Sequence, residues 1–441
     1  MCGIAGIWRV GGAELTDVAV AMAQTLHHRG PDDHGVWSDP AVGVALSHRR
    51  LSIIDLSAAG HQPMASASGR YQICYNGEIY NFQLLRQELE AAGNQFRGGS
   101  DTEVLLTAID QWGVEAAVQR LIGMFALALW DREARELILV RDRLGIKPVY
   151  WGWVGTTFAF ASEPRAFAKV PGFRGDIDGA ALAAYLRWNY VPAPACIYQG
   201  LNKLEPGTIL RLGGGGEPVI RQFWSLREIA ANGSKEPIAL SDQEAADQLA
   251  SLLADAVGGR MLADVPLGAF LSGGIDSSLV AALMQDQSER PVKTFTIGFE
   301  EARFNEATYA KAVAKHLGTE HHELYLSSRD AMDIVPELPT MFDEPFADSS
   351  QIPTYLVSRM TRDHVTVSLS GDGGDELMAG YTRYQLADGM SRRFGAVPAP
   401  LRRSMAGALG LLPDALWDGV GGLLPASISK GRLGDRVGRF R

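Results

Sequence analysis

The chain has only three cysteines in 441 residues, no long apolar run and no excess of basic charge. Cys2, Cys74 and Cys196 are odd in number and far apart, which excludes a disulfide framework and a paired CxxC metal site. Without a stretch of about 18 apolar residues, no segment is expected to span a bilayer. A formal net charge of −10 offers a polyanion no broad basic face, so nucleic acid is not an expected partner. The first residues, MCGIAGIWRVGG, lack the basic start and longer apolar core of a signal peptide. No internal repeat or low-complexity block is present. These absences describe a cytoplasmic protein. The composition, 46% hydrophobic and 21% charged, is that of a globular chain. At ~100–200 residues per domain, its length implies two or three domains.

The first ~165 residues read as strand-rich. Val42 to Ile54 and Tyr71 to Tyr75 are strand-like runs. Asn81 is placed to cap a helix whose Leu84, Leu85 and Leu89 share a face before Gly93 ends it. Ser100 and Glu103 have capping-box spacing for a helix reaching about Trp112. Met124–Trp130, Glu136–Arg141, Val149–Val154 and Thr157–Ala161 predict an antiparallel meander. Strands with inserted helices suggest a layered α+β domain over 1–190. Residues 191–245 are rich in breakers and read as a linker with a small hairpin. From 246 to 441, strands LGAFL, VKTFTIGF, HHELYL and HVTVSL alternate with helices. That rhythm implies an α/β doubly wound parallel sheet.

Cys2 directly follows the initiator Met. Removal of Met1 would leave a thiol and a free α-amine on one residue, and such an amine can serve as base for its own nucleophile. Alone, Cys2 reads better as a small buried hydrophobe at the start of a strand than as a nucleophile; Cys74 and Cys196 are read only as core packing. Its company is more telling: MCGIAGIW, HHRGPDDHG, HRRLSIID, YNGEIYN and GSDTEVLL occur in this order. Together they resemble the N-terminal-nucleophile glutaminase of class II amidotransferases. The resemblance implies Cys2 as nucleophile, with an oxyanion hole from the Asn76 side chain and the Gly77 N–H. It implies a glutamine pocket of Arg50, Leu51, Ser52, Ile53, Ile54, Asn76, Gly77, Glu78 and Asp101. There Arg50 would fork onto the α-carboxylate and Asp101 would face the α-ammonium. Each residue has a plainer reading. Arg50 could be a surface ion-pair partner, Asn76-Gly77 a hairpin turn, and Asp101 an acid favoured by a helix N-terminus.

In the second half, LSGGIDSS at 271–278 joins an apolar strand to a helix, where backbone N–H groups make an anion site. No lysine follows the glycines, so this is not a Walker A loop. SLSGDGGDEL at 368–377 ends another expected strand. This pair resembles the ATP-pyrophosphatase site of the asparagine synthetase family. By resemblance, ATP would meet Leu271, Ser272, Gly273, Gly274, Asp276, Ser277, Ser278, Ile297, Ser370 and Gly371. Asp276 and Asp375 would hold Mg²⁺ against the pyrophosphate. Asp372 stands where most such motifs carry Glu, near the expected intermediate. FDEPFADSSQIPTYLVS, residues 342–358, also resembles that family and is expected to shape the acceptor pocket.

The resemblance implies a glutamine-hydrolysing ligase: ammonia from glutamine converts an ATP-adenylated carboxylate, expected to be aspartate, into an amide with release of AMP and PPi. The alternatives are an amidotransferase acting on a sugar or peptide carboxylate, and a glutaminase or regulatory nucleotide-binding protein without synthetase activity. A homodimer is compatible with the sequence. Family members continue for over a hundred residues past the second motif, so the synthetase domain is expected to be C-terminally short. The tail carries Arg392, Arg393, Arg402, Arg403, Arg432, Arg436, Arg439 and Arg441, read as a solvated basic face.

Overall fold

The computed structural model describes residues 1–214, 216–299, 305–395 and 398–410. Two compact units result, Met1–Gly371 and Asp372–Arg441. The first contains three sheets. One runs β10 (Leu201–Lys203), β8 (Tyr150–Val154), β9 (Thr157–Ala161), β1 (Gly3–Trp8), β3 (Val44–Arg50), β2 (Asp33–Asp39). The second runs β12 (Val219–Gln222), β11 (Thr208–Gly213), β7 (Glu136–Arg141), β6 (Gly123–Asp131), β5 (Tyr71–Ile79), β4 (Met64–Ala65). All their pairings are antiparallel.

Alternating side chains explain the layering. Ile4, Trp8 and Leu46 from one sheet meet Ala128, Trp130, Leu139 and Leu210 from the other in a buried cluster between them. The outer face of the β1 sheet packs on helix Thr16–Thr25 through Ala19 and Met22. The outer face of the β5 sheet packs on helices Phe82–Ala91 and Asp101–Trp112 through Leu85, Leu89, Leu105 and Ile109. The order is helix, sheet, sheet, helix. Layering was expected; the strand partition differs. The expected meander is split, because β6 and β7 belong to one sheet and β8 and β9 to the other. Periodicity reports a strand, not its partner.

The stretch read as a linker contributes β10 to one sheet and the hairpin β11–β12 to the other. Its breakers mark tight turns, and the strands between them are too short to show alternation. Three local expectations also change. Leu84 is 68% exposed, while Phe82, Leu85 and Leu89 form the buried stripe. Asn81 does not cap its helix with its side chain; that amide donates to the Arg120 carbonyl at 2.9 Å and accepts from Ile122 N–H at 2.9 Å. Ser100 caps Glu103 N–H at 3.3 Å, but the Glu103 carboxylate turns to the N–H groups of Arg97 and Gly98.

The third sheet is parallel, in the order β15 (Glu320–Leu326), β14 (Lys293–Phe299), β13 (Leu267–Phe270), β16 (Val367–Leu369). Both faces are covered. Ala269 and Leu271 pack under helices Asp242–Arg260, Ile275–Asp286 and Ala307–Leu317. Ile297, Phe299 and Leu326 pack on Ile334 and Leu356 of the opposite layer. Gly318, at φ 74°, ends its helix in the left-handed conformation as expected. The second unit holds helices Gly374–Met378, Thr382–Gly395 and Ala399–Gly410. Of the basic tail, Arg432, Arg436, Arg439 and Arg441 and the Arg393 side chain lie outside the described residues.

Candidate functional site

Cys2 precedes β1, whose Gly3 pairs with Arg49 of β3, so the thiol comes level with Arg50 and Leu51. Leu51 donates its N–H to Cys2 Sγ at 3.4 Å. One pocket is lined by Met1, Cys2, Arg50, Leu51, Ile53, Ile54, Asn76, Gly77, Glu78 and Asp101. Of the glutamine-pocket residues expected from sequence, only Ser52 is not on its wall; its N–H donates to Asp32 at 2.8 Å.

Asn76 and Gly77 lie inside β5, opposite Ala126 and Phe125 of β6, and not at a turn. Gly77 is required there. A Cβ would come 2.4 Å from the Met124 carbonyl oxygen, so only glycine lets the two backbones pair. Asn76 is 1% exposed and its side-chain amide nitrogen has no hydrogen-bond partner. A buried, unpaired donor is costly, and native proteins keep few of them. This one borders the thiol's pocket.

Charge in the pocket is balanced by buried groups. Asp101 accepts from Tyr75 Oη at 2.9 Å and from Ile79 N–H at 3.0 Å. Burial nevertheless raises its carboxyl to about 6, with Glu78 adding to the rise. Burial also raises Glu78, against the pull of Lys147. The Cys2 thiol is pushed up by burial, so it rests as the neutral thiol and needs a base. Burial, helped by Arg29 and Lys147, lowers the α-amine of Met1 beside Cys2 to about 6. An amine in that setting is largely neutral at pH 7 and able to accept a proton.

Arg50 is engaged within its own loop. It donates to the carbonyls of Ser57 at 3.0 Å, Ile54 at 3.4 Å and Asp55. Gly60 leaves the space its guanidinium fills. The sequence reading missed Lys147, Gln62, Tyr75 and Thr102, which also line the pocket. Lys147 is 5% exposed; a lysine inside LGIKP gives no local sign of burial.

In the parallel-sheet half, Gly274 caps helix Ile275–Asp286 and Asp276 lies in its first turn. Ser272 Oγ accepts from Gly274 N–H at 3.2 Å and bonds Ser277 Oγ at 2.9 Å, shaping the loop. Gly273 has φ +80°, and a Cβ there would lie 2.6 Å from Ala310 N. Gly371, next to Ser370, closes on the same helix end, its Cβ position 2.7 Å from Ser277 N. Ser278 donates its N–H to the Gly274 carbonyl in the first turn. Leu271 is buried against Ala281 and Ala310, whereas Ile297 packs in the cluster of Leu326 and Leu356. Asp372 and Asp375 belong to the second unit, Asp375 in the first turn of Gly374–Met378. Among the described residues, no group of three or more His, Cys, Asp or Glu is placed to hold a metal by itself. No helix among the described residues is long and apolar enough to cross a membrane.

Comparison with known proteins matches two families in succession along the chain. Residues 1–224 match the glutamine amidotransferase domain family and residues 248–440 the asparagine synthase family. A Mycobacterium tuberculosis protein with a provisional glutamine-hydrolysing asparagine synthetase name is 39% identical over 94% of this chain and 66% of its own length. Glutamine-hydrolysing asparagine synthetase 1 of Bacillus subtilis is 34% identical over 94% of this chain and 64% of its own length. A Methanocaldococcus jannaschii protein, also provisionally so named, is 36% identical over 86% of this chain and 76% of its own length. The chain thus spans slightly under two thirds of the first two. With two domain families matched in order and such identity over most of its length, the chain belongs to the glutamine-hydrolysing asparagine synthetase family.

Proposed function

We propose that this chain hydrolyses glutamine in its antiparallel half and passes the ammonia to a carboxylate activated by ATP in its parallel-sheet half, with aspartate as the acceptor. The observation that carries the hydrolytic part is the buried, unpartnered Asn76 amide beside Cys2. An oxyanion hole needs donors held ready before charge develops, and an unused buried donor meets that need.

In the proposed cycle, Met1 is removed and the Cys2 amine takes the thiol proton. The thiolate attacks the side-chain carbonyl of glutamine, and the oxyanion rests on Asn76 Nδ2 and Gly77 N–H. Ammonia leaves with the amine's proton, and water then releases glutamate. Arg50 receives the substrate carboxylate and Asp101 its ammonium, while Leu51, Ile53, Ile54 and Glu78 frame the rest of the site; Ser52, bonded to Asp32, stays outside it. The strands β10–β12, beyond residue 190, belong to the sheets of the half proposed to hydrolyse glutamine.

ATP is proposed to bind over Ser272–Gly274, where glycines leave room for phosphate at a helix N-terminus. Asp276, Ser277, Ser278, Ser370, Gly371, Leu271 and Ile297 complete that site in the proposal, with Asp372 near the reacting carboxylate. Asp276 and Asp375 are the residues that would hold Mg²⁺, which would screen the charge of departing pyrophosphate. A cytoplasmic setting suits the free thiols. Purified protein incubated with glutamine, ATP, Mg²⁺ and aspartate should release glutamate, AMP and asparagine. Release of ADP, or AMP formation indifferent to aspartate, would refute the synthetase part. Cys2→Ala should abolish glutamate release; persistence near the unmodified rate would refute the hydrolytic part.

A further inference from the structure

One wall of the proposed glutamine pocket is formed by Leu51, Ile53 and Ile54, which belong to the irregular segment after β3, residues 51–57. Three observations show how it is held. From inside, Arg50 donates to the carbonyls of Ile54, Asp55 and Ser57. Within the loop, Asp55 adopts φ +55°, unusual for a non-glycine residue, with its carboxylate accepting from Ser57 N–H at 3.0 Å and Gly99 N–H at 2.7 Å. From outside, the contact is made by the other half of the chain. Asp55 donates its N–H to Asp264 Oδ2 at 2.8 Å, and Asp264 donates its own N–H to the Ile53 carbonyl at 2.9 Å.

Asp264 lies between helix Asp242–Arg260 and β13, the strand that leads to the Ser272–Gly274 loop. The same connection is seated on the antiparallel half: Leu262 packs against the cluster that also receives Ile54, and Arg260 lies 4.4 Å over the Tyr80 ring. The two reciprocal hydrogen bonds therefore join a docked, fixed segment to a loop in a strained conformation.

We infer that Asp264 is a positioning residue for the glutamine pocket, a strap supplied by the parallel-sheet half that holds residues 53–55 closed over the substrate. This rests on the proposed glutaminase reading. Its chemical need comes from Arg50. A guanidinium that turns its fork to a substrate carboxylate gives up part of its donation to the loop carbonyls. The inner anchor weakens when substrate binds, and the outer strap keeps the loop in place. Asp264 touches neither the thiol nor the oxyanion donors, so the strap acts on substrate retention and leaves the chemical step alone.

The test is Asp264→Ala in the full chain, with Asp264→Asn beside it. Losing one hydrogen bond of about 1 kcal/mol corresponds to about fivefold in binding. Asp264→Ala should therefore raise KM for glutamine about fivefold with kcat within a factor of two. Asp264→Asn keeps an acceptor oxygen and should restore most of the loss. Amide hydrogen exchange at Asp55 should quicken in the alanine variant only. Unchanged KM and unchanged exchange in Asp264→Ala overturn the inference, as do equal KM increases in both variants. Absence of glutamine hydrolysis in the unmodified chain would refute the proposed function instead, and the exchange measurement would still decide the strap.

Discussion

Tyr75 donates its hydroxyl to Asp101 at 2.9 Å, a buried bond between β5 and the first turn of helix Asp101–Trp112. The pair holds an acid whose carboxyl sits at about 6 because burial opposes its charge. Its pKa is above the unfolded value, so between pH ~4 and ~6 the folded protein binds the extra proton and this group's contribution falls as pH rises. Ionised at pH 7, it costs up to about 3 kcal/mol. Asp101→Asn keeps acceptors for Tyr75 and Ile79 without the charge. Thermal unfolding at pH 7 should show a stability equal to or above the unmodified protein's, while KM for glutamine rises at least tenfold. A loss of stability together with an unchanged KM would contradict both parts.

The amine predicts a pH profile. Its setting holds an amino group at about 6 through burial, Arg29 and Lys147. The freed Cys2 amine should share that environment and act as base only when neutral. Glutamine hydrolysis, as kcat/KM, should lose its activity on an acid limb near pH 6, well below the ordinary amine value of ~8. Lys147→Met should move the limb upward, since a neighbouring cation favours the neutral amine. An acid limb that does not move would remove Lys147 from this role.

Asn76→Ala separates the oxyanion hole from substrate binding. Removing one such donor costs about 100- to 1000-fold in kcat. KM should change little, because the ground-state amide makes less use of the donor. The folded state should tolerate the change, since the amide nitrogen forms no hydrogen bond that would be lost. Pre-steady-state acylation by glutamine is the appropriate measurement, and a normal acylation rate would exclude the assignment.

The chain's rhythm announced its strands and helices, because local chemistry fixes them, whereas the pocket residues were legible through the resemblance of five short motifs to the class II glutaminases. Helix Asp101–Trp112 begins at its Ser100 cap, and Gly318 stops its helix at φ 74°. Partnership was not legible. That β7 pairs with β6 while β8 pairs with β9 in a separate sheet depends on the inward faces of both sheets meeting, which no single strand encodes. Asn81 reads as a cap, yet a tertiary neighbour at Arg120 and Ile122 offers it better partners. Lys147 and Asp264 are invisible for the same reason: their roles arise from which loops the folded sheets bring beside them.

Gly273 carries the prediction for the nucleotide half. At φ +80° it adopts a conformation that side chains disfavour, and a Cβ would meet Ala310 N at 2.6 Å and Tyr309 Cβ at 2.7 Å. The obstacle includes backbone of helix Ala307–Leu317, so relief requires the helix or the loop at 272–274 to move. Gly318 supplies the control. Its φ is +74°, but nothing lies within 4 Å of its Cβ position. Gly318→Ala should show the conformational cost alone, about 1 kcal/mol of stability with ATP use intact. Gly273→Ala should cost more and should also weaken ATP-dependent AMP release at least tenfold, through displaced N–H groups at the helix start. Glutamine hydrolysis, proposed for the antiparallel half, should persist in both variants. Equal behaviour of the two in ATP use would show that the loop at 272–274 does not hold the nucleotide, whereas loss confined to Gly273→Ala ties that activity to the close approach of loop and helix.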